Sequence, residues 1–101
     1  MFDWFKKSKF TEISSGIIRS SEGYTVNNHG NWEVIYMEDD GHVAKFDTEP
    51  GGDAYIYWLD GPVKWEPPHA DEEIPLERQE LIKDRIVAAV KSRGLGGDFE
   101  R

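Results

Sequence analysis

Trp32-Glu33-Val34-Ile35-Tyr36-Met37-Glu38-Asp39-Asp40-Gly41-His42-Val43-Ala44-Lys45-Phe46 is the stretch from which the fold is read. A β-favouring run from Trp32 to Met37 is followed by Asp-Gly, the pair favoured where a tight hairpin needs positive φ. His42 to Phe46 then reads as the return strand. Outward from this hairpin the same grammar repeats. Upstream, Ile17-Ile18 is β-compatible, Ser21-Glu22-Gly23 turns, Tyr24-Thr25-Val26 is β-rich, and residues 27–31 cluster Asn, His and Gly. Downstream, Glu49-Pro50-Gly51-Gly52-Asp53 turns into Tyr55-Ile56-Tyr57-Trp58-Leu59. That near-continuous apolar strand implies a central position or burial on both faces. Asp60-Gly61-Pro62 turns again, and Val63-Lys64-Trp65 is a last extended piece.

Beyond Pro67-Pro68 the period changes. Leu76, Ile82, Ile86, Ala89 and Val90 mark a helical stripe, with Val87 at its flank. Glu77, Arg78, Glu80, Lys83, Asp84, Arg85 and Lys91 are assigned to the other faces. Pro75 suits the first turn, Asp71-Glu72-Glu73 complements the helix N-terminus, and Gly94 supplies the stop. The spacing predicts one helix over 75–93, with Phe99 in a final short extended segment. Trp65 is expected to pack at the sheet edge near Leu76. The predicted fold is α+β: an antiparallel β-meander of about five strands packed against one C-terminal α-helix. Residues 1–9 read as an N-terminal tail or short helix, and 10–101 as one domain.

Composition narrows the function. Of 101 residues, 38% are hydrophobic and 13% aromatic, which is enough for a core and unlike a disordered chain. With no cysteine, disulfides, thiolate metal sites and cysteine nucleophiles are excluded. No apolar run has the length of a signal peptide or a membrane span, so a soluble, cytoplasmic protein without a membrane partner is expected. The net charge is −8, and eleven carboxylates against two lysines fall between Glu38 and Glu73. Such a field repels nucleic acid and steers basic partners. Tyr55 and Tyr57 alternate as base-stacking residues would, but in the most acidic part of the chain; no nucleic-acid partner is expected.

No motif announces catalysis. There is no nucleophile elbow, phosphate loop or dinucleotide fingerprint. His29, His42 and His69 are dispersed, and Glu38-Asp39-Asp40-Gly41 reads as a hairpin turn rather than a calcium loop. Neither an enzyme, a cofactor nor a metal is expected. A small-substrate hydrolase would need a deep polar pocket joining a histidine with two carboxylates.

Trp65-Glu66-Pro67-Pro68-His69, followed by Ile74, Glu77-Arg78, Ile82 and Ile86, resembles the bacterial family called Immunity protein 74. The resemblance spans roughly residues 40–99, including the glycine turn and terminal strand near Phe99. It implies a small α+β protein that binds and neutralises a cognate toxin, and it carries no contact residues. From the charge pattern alone, Asp39, Asp40, Asp47, Glu49, Asp53, Asp60 and Glu66 are the candidate partner-binding acids. Trp32 and Trp58 are the candidate anchors. The alternative is a small cytoplasmic interaction or scaffold protein in which the acidic belt only solvates the surface.

Overall fold

The computed structural model describes residues 9–28, 33–51, 54–59, 61–92 and 97–100. Among these residues seven strands form one sheet in which spatial order follows sequence order. They are β1 (Phe10–Ser14), β2 (Ile17–Ser20), β3 (Tyr24–Asn27), β4 (Glu33–Glu38), β5 (Val43–Gly51), β6 (Ala54–Trp58) and β7 (Gly97–Glu100), with α1 (Leu76–Ser92) between β6 and β7. β1 to β6 form an antiparallel meander. The expected α+β meander with a C-terminal helix is therefore present, and it is longer than about five strands. β7 pairs parallel to β6, which requires a long crossover; the connection containing α1 supplies it. β6 is thus paired along both edges, the central position its apolar sequence implied.

The hairpin holds as read, with one refinement. Gly41 sits at φ 99°, and no non-glycine residue described has positive φ. Asp40 is therefore in an ordinary conformation, and the loop is a three-residue turn closed by left-handed Gly41. The Gly41 amide donates to the Glu38 carbonyl at 2.9 Å, and the Glu38 amide to the His42 carbonyl at 2.8 Å. A Cβ at Gly41 would meet nothing within 4 Å, so its substitution costs backbone strain alone. Gly41→Ala is expected to destabilise the domain by about 1–2 kcal/mol, and Gly41→Asn by less. Urea unfolding of the two variants checks this; equal losses would point to a cause other than φ.

Alternation along β2 to β5 separates two faces. Ile18, Ser20, Tyr24, Val26, Val34, Tyr36, Glu38, Ala44, Phe46 and Thr48 are buried on one. α1 lies against that face over β2 and β3 and buries Ile82, Lys83, Ile86, Ala89 and Val90. Leu59, Val63, Trp65 and Ile74 extend the same core from the connection before the helix. Val63-Lys64-Trp65 is not a strand. It is held by the Val63 amide donating to Gln79 Oε1 (3.0 Å) and the Glu66 amide donating to the Val43 carbonyl (2.7 Å).

The helix departs from its expected faces at the first two turns. Leu76 is 72% exposed. It stands six residues from Ile82, about 240° round the helix, whereas steps of three and four back from Ile82 reach Gln79 and Arg78. Those polar residues occupy the inner face there, and Ile74 takes the buried position beside Trp65. Arg78, Lys83 and Arg85 are likewise not simply solvent-facing. Lys83 lays its stem in the core and brings Nζ to 3.6 Å from Glu80. Glu72 turns to two histidines rather than to the helix N-terminus, where Glu77 is the acid of the first turn. Of the expected tail at 1–9, residues 1–8 lie outside the described residues, as does the expected stop at Gly94. Among the described residues no helix is long and apolar enough to cross a membrane.

Candidate functional site: the acidic end and the uncovered sheet face

Two acidic runs far apart in sequence, 38–40 and 71–73, meet at one end of the sheet because the 61–72 segment runs back along the start of β5. A row of rings marks the junction. Tyr24 and Tyr36 centroids are 5.5 Å apart, and Tyr36 stacks on Trp65 at 6.4 Å. Trp65 meets the His42 ring edge-on at 4.9 Å, and His42 stacks on His69 at 3.7 Å.

Beneath the row, the buried Glu38 carboxylate accepts from the Tyr36 hydroxyl at 2.7 Å and from Arg78, with Arg85 Nη1 3.5 Å away. Arg85 also donates to the Tyr36 oxygen at 2.8 Å and covers the Tyr24 ring at 4.8 Å. Burial, reinforced by the Glu38 carboxylate, pushes the Tyr36 phenol far above its ordinary range, so it acts only as a neutral donor and acceptor.

At the surface, His42 lies between two carboxylates, with Nδ1 2.8 Å from Asp40 Oδ1 and Nε2 2.9 Å from Glu72 Oε1. The other Glu72 oxygen is 2.5 Å from His69 Nδ1. Glu72, then Asp40, raise the His42 pKa. In return His42 lowers Asp40, and His42 with His69 lowers Glu72. A Glu38 carboxylate oxygen comes within 4.8 Å of a His42 ring nitrogen, and His42, Trp65, Glu73 and Arg78 line a hollow of about 300 Å³.

The histidine with two carboxylates named above as a hydrolase requirement is thus present, but not in a deep pocket. The hollow is open to solvent, and both His42 nitrogens already face carboxylates.

The sign of the pH dependence follows from the shift directions. Raised in the fold, His42 contributes stability that is full below an ordinary imidazole value of about 6.5. That contribution is lost as pH rises through the raised folded value. Lowered in the fold, Asp40 and Glu72 contribute above ordinary carboxylate values of about 4, and the contribution is lost as pH falls through their folded values. The cluster stabilises most between about pH 4.5 and 6.5. The melting difference between the wild type and His42→Gln should peak in that window. A constant difference from pH 5 to 9 would contradict it.

The sequence-derived candidates are dispersed among different environments. Asp39 is held by a two-pronged pair to Arg19, 2.7 Å on each side, which depresses its pKa. Asp40 is engaged by His42, so neither turn carboxylate is free of an internal partner. Glu66 is half-buried and anchors backbone to β5. Asp47 is exposed on the sheet face away from α1. Glu49 is placed by its backbone opposite Ile56, and Trp58 opposite Asp47. The side chains of Glu49 and Trp58, and all of Trp32, Asp53 and Asp60, lie outside the described residues.

Sequence reasoning missed Glu33, which stands directly opposite Asp47 on the uncovered face. No ion pair to either carboxylate is found among the described residues. Ile35 and the 45%-exposed Met37 continue along the same face of β4. Like charges directly opposite are unfavourable, so this pair is a place where added positive charge is welcome. Period-two alternation of Glu33 and Asp47 about the hairpin was the signal available.

Neither the models of protein families, nor curated proteins, nor solved structures contain a match to this chain. The resemblance stated above therefore rests on the Trp65–Ile86 residues themselves.

Proposed function

We propose that this domain is a cytoplasmic immunity protein that binds a basic protein toxin and neutralises it by steric and electrostatic occlusion, without chemistry of its own. The observation that carries the reading is the Glu33–Asp47 pair. Two facing carboxylates lie on the sheet surface α1 leaves uncovered, in a chain of net charge −8. A lysine or arginine of the partner would sit between them, with Ile35 and Met37 supplying apolar contact beside it. The Asp39 and Asp40 carboxylates, engaged by Arg19 and His42, serve the turn more than the partner. The resemblance at Trp65-Glu66-Pro67-Pro68 supplies the toxin, and the charge supplies its sign.

The test is capture of the product of an adjacent gene by the purified domain, followed by calorimetry. Asp47→Lys should weaken binding by more than tenfold, and Glu77→Lys, on the helix, should not. Asp47→Asn should at the same time stabilise the free domain by about 0.2–1 kcal/mol, because it removes the like-charge pair. Capture of no basic neighbour, or equal binding by wild type and Asp47→Lys, would overturn the reading.

A further inference from the structure

We propose that the hollow between residues 62–64 and 70–75, closed on one side by Gln79 of α1, is a docking groove for an extended, basic segment of a partner protein. Its volume is about 770 Å³, within the roughly 300–1,000 Å³ of sites that hold organic ligands. None of its lining residues belongs to the sheet. The groove is therefore separate from the Glu33–Asp47 face, and either reading can fail with the other intact.

The groove has a fixed shape. Val63 and Ile74 form an apolar floor, 4% and 8% exposed, and the exposed Pro62 and Pro75 stand at the rim. The Gln79 side chain ties the two walls together. Its Oε1 accepts the Val63 amide at 3.0 Å, and its Nε2 donates to the Ile74 carbonyl at 2.9 Å. Those backbone groups are taken, so an occupant is not held through them as an added strand and must be held by its side chains. A proline on each wall and the glutamine tie keep the groove ordered before binding, which lowers the cost of docking.

The rim selects charge. Asp71, Glu72 and Glu73 line one wall and Lys64 the other. Glu72 is engaged by His42 and His69, 2.9 and 2.5 Å away. Asp71, Glu73 and Lys64 are exposed, and no ion pair to any of them is found among the described residues. Two such carboxylates against one lysine leave an excess of negative charge, in a chain whose net charge of −8 already draws basic partners. Alone these acids would be solvated surface groups. Here they border an apolar floor that the stem of a cationic side chain can cover.

Arginine and lysine are the side chains that fit both parts, with an apolar stem for Val63 and Ile74 and a charged head for Asp71 and Glu73. Lys64, which has donors and no acceptor, faces the backbone carbonyls of the occupant from the other wall. An extended chain presents its carbonyls and its basic side chain at once. The hollow is open to solvent, so an internal segment of a partner can lie in it without burying its ends.

The experiment is titration of the ¹⁵N-labelled full chain with capped alanine pentapeptides carrying arginine, lysine, norleucine or glutamate at the centre. The arginine and lysine peptides should give saturable shifts at the amides of Val63, Lys64, Asp71, Glu73 and Gln79. They should bind at least about fivefold tighter than the norleucine peptide, and the glutamate peptide should not bind. The double variant Asp71→Asn/Glu73→Gln, checked for native circular dichroism, should lose at least about fivefold for the arginine peptide, and Glu77→Gln nothing. Equal affinity of the arginine and norleucine peptides would overturn the proposal. So would arginine-peptide shifts centred on Glu33 and Asp47 or scattered over the surface, and so would a lack of saturation by either basic peptide at low-millimolar concentration. The peptide series is read on the unaltered chain, so the comparison stands even if the double variant fails to fold.

Discussion

Trp65→Ala is expected to cost about 3–5 kcal/mol and to lower the melting temperature by more than about 10 °C. Trp65 is 7% exposed and fills the angle between the sheet and the connection to α1. It stacks on Tyr36 at an interplanar angle of 18° and makes an edge contact with the His42 ring at 4.9 Å. Its removal opens a cavity at the junction of the core and the acidic end, and frees the turn that carries His69 and Glu72. Because stability totals for domains of this size are about 5–15 kcal/mol, the variant should be partly unfolded near physiological temperature. Trp65→Phe keeps a ring against Tyr36 and should lose less than half as much. Differential scanning calorimetry of the pair checks this, and a loss under about 1 kcal/mol for Trp65→Ala would mean that Trp65 is not packed as described.

Glu38→Ala should destabilise by a comparable amount, about 3–5 kcal/mol. Glu38 is 8% exposed, and Arg85 keeps only 17% of its side chain exposed. Without the carboxylate, the Arg85 guanidinium is buried beside the Tyr36 oxygen and the Tyr24 ring, with no other ion-pair partner among the described residues. Its Nε already lacks a hydrogen-bond partner. Arg78 is 38% exposed and can turn to water, so its share of the network is below about 1 kcal/mol. The double variant Glu38→Leu/Arg85→Met replaces both charges by apolar groups and should recover much of the loss, since the penalty comes from the orphaned charge more than from the lost attraction. Urea denaturation at neutral pH of the singles and the double gives the coupling directly. Additive losses would contradict a shared buried network.

The parts of the fold written in local pattern were legible in the sequence. Asp39-Asp40-Gly41 declared the hairpin because only glycine adopts φ 99° there without strain. Ile82, Ile86, Ala89 and Val90 declared the helix and its buried face. The illegible parts depend on where distant segments come together. His42 and His69 are stacked only because the Glu66 amide bonds Val43 and draws the turn back along β5. No periodicity encodes that contact.

Arg78 and Arg85 were assigned outward because charged residues on an amphipathic helix usually face water. Their countercharge is Glu38, 40 and 47 residues away, which a helical pattern cannot reveal. For the same reason the concentration of acids between Glu38 and Glu73 read as one uniform belt. In three dimensions several of its carboxylates have internal cationic partners, and the Glu33–Asp47 pair on the uncovered sheet has none among the described residues.

Chemical-shift mapping of the ¹⁵N-labelled domain with the basic partner proposed above is the most direct test of the docking face. Perturbed amides should fall on alternate positions of β4 and β5, at Glu33, Ile35, Met37, Lys45 and Asp47, and should fade in Asp47→Lys. Perturbations concentrated on the solvent side of α1, with β4 and β5 unchanged, would contradict the account.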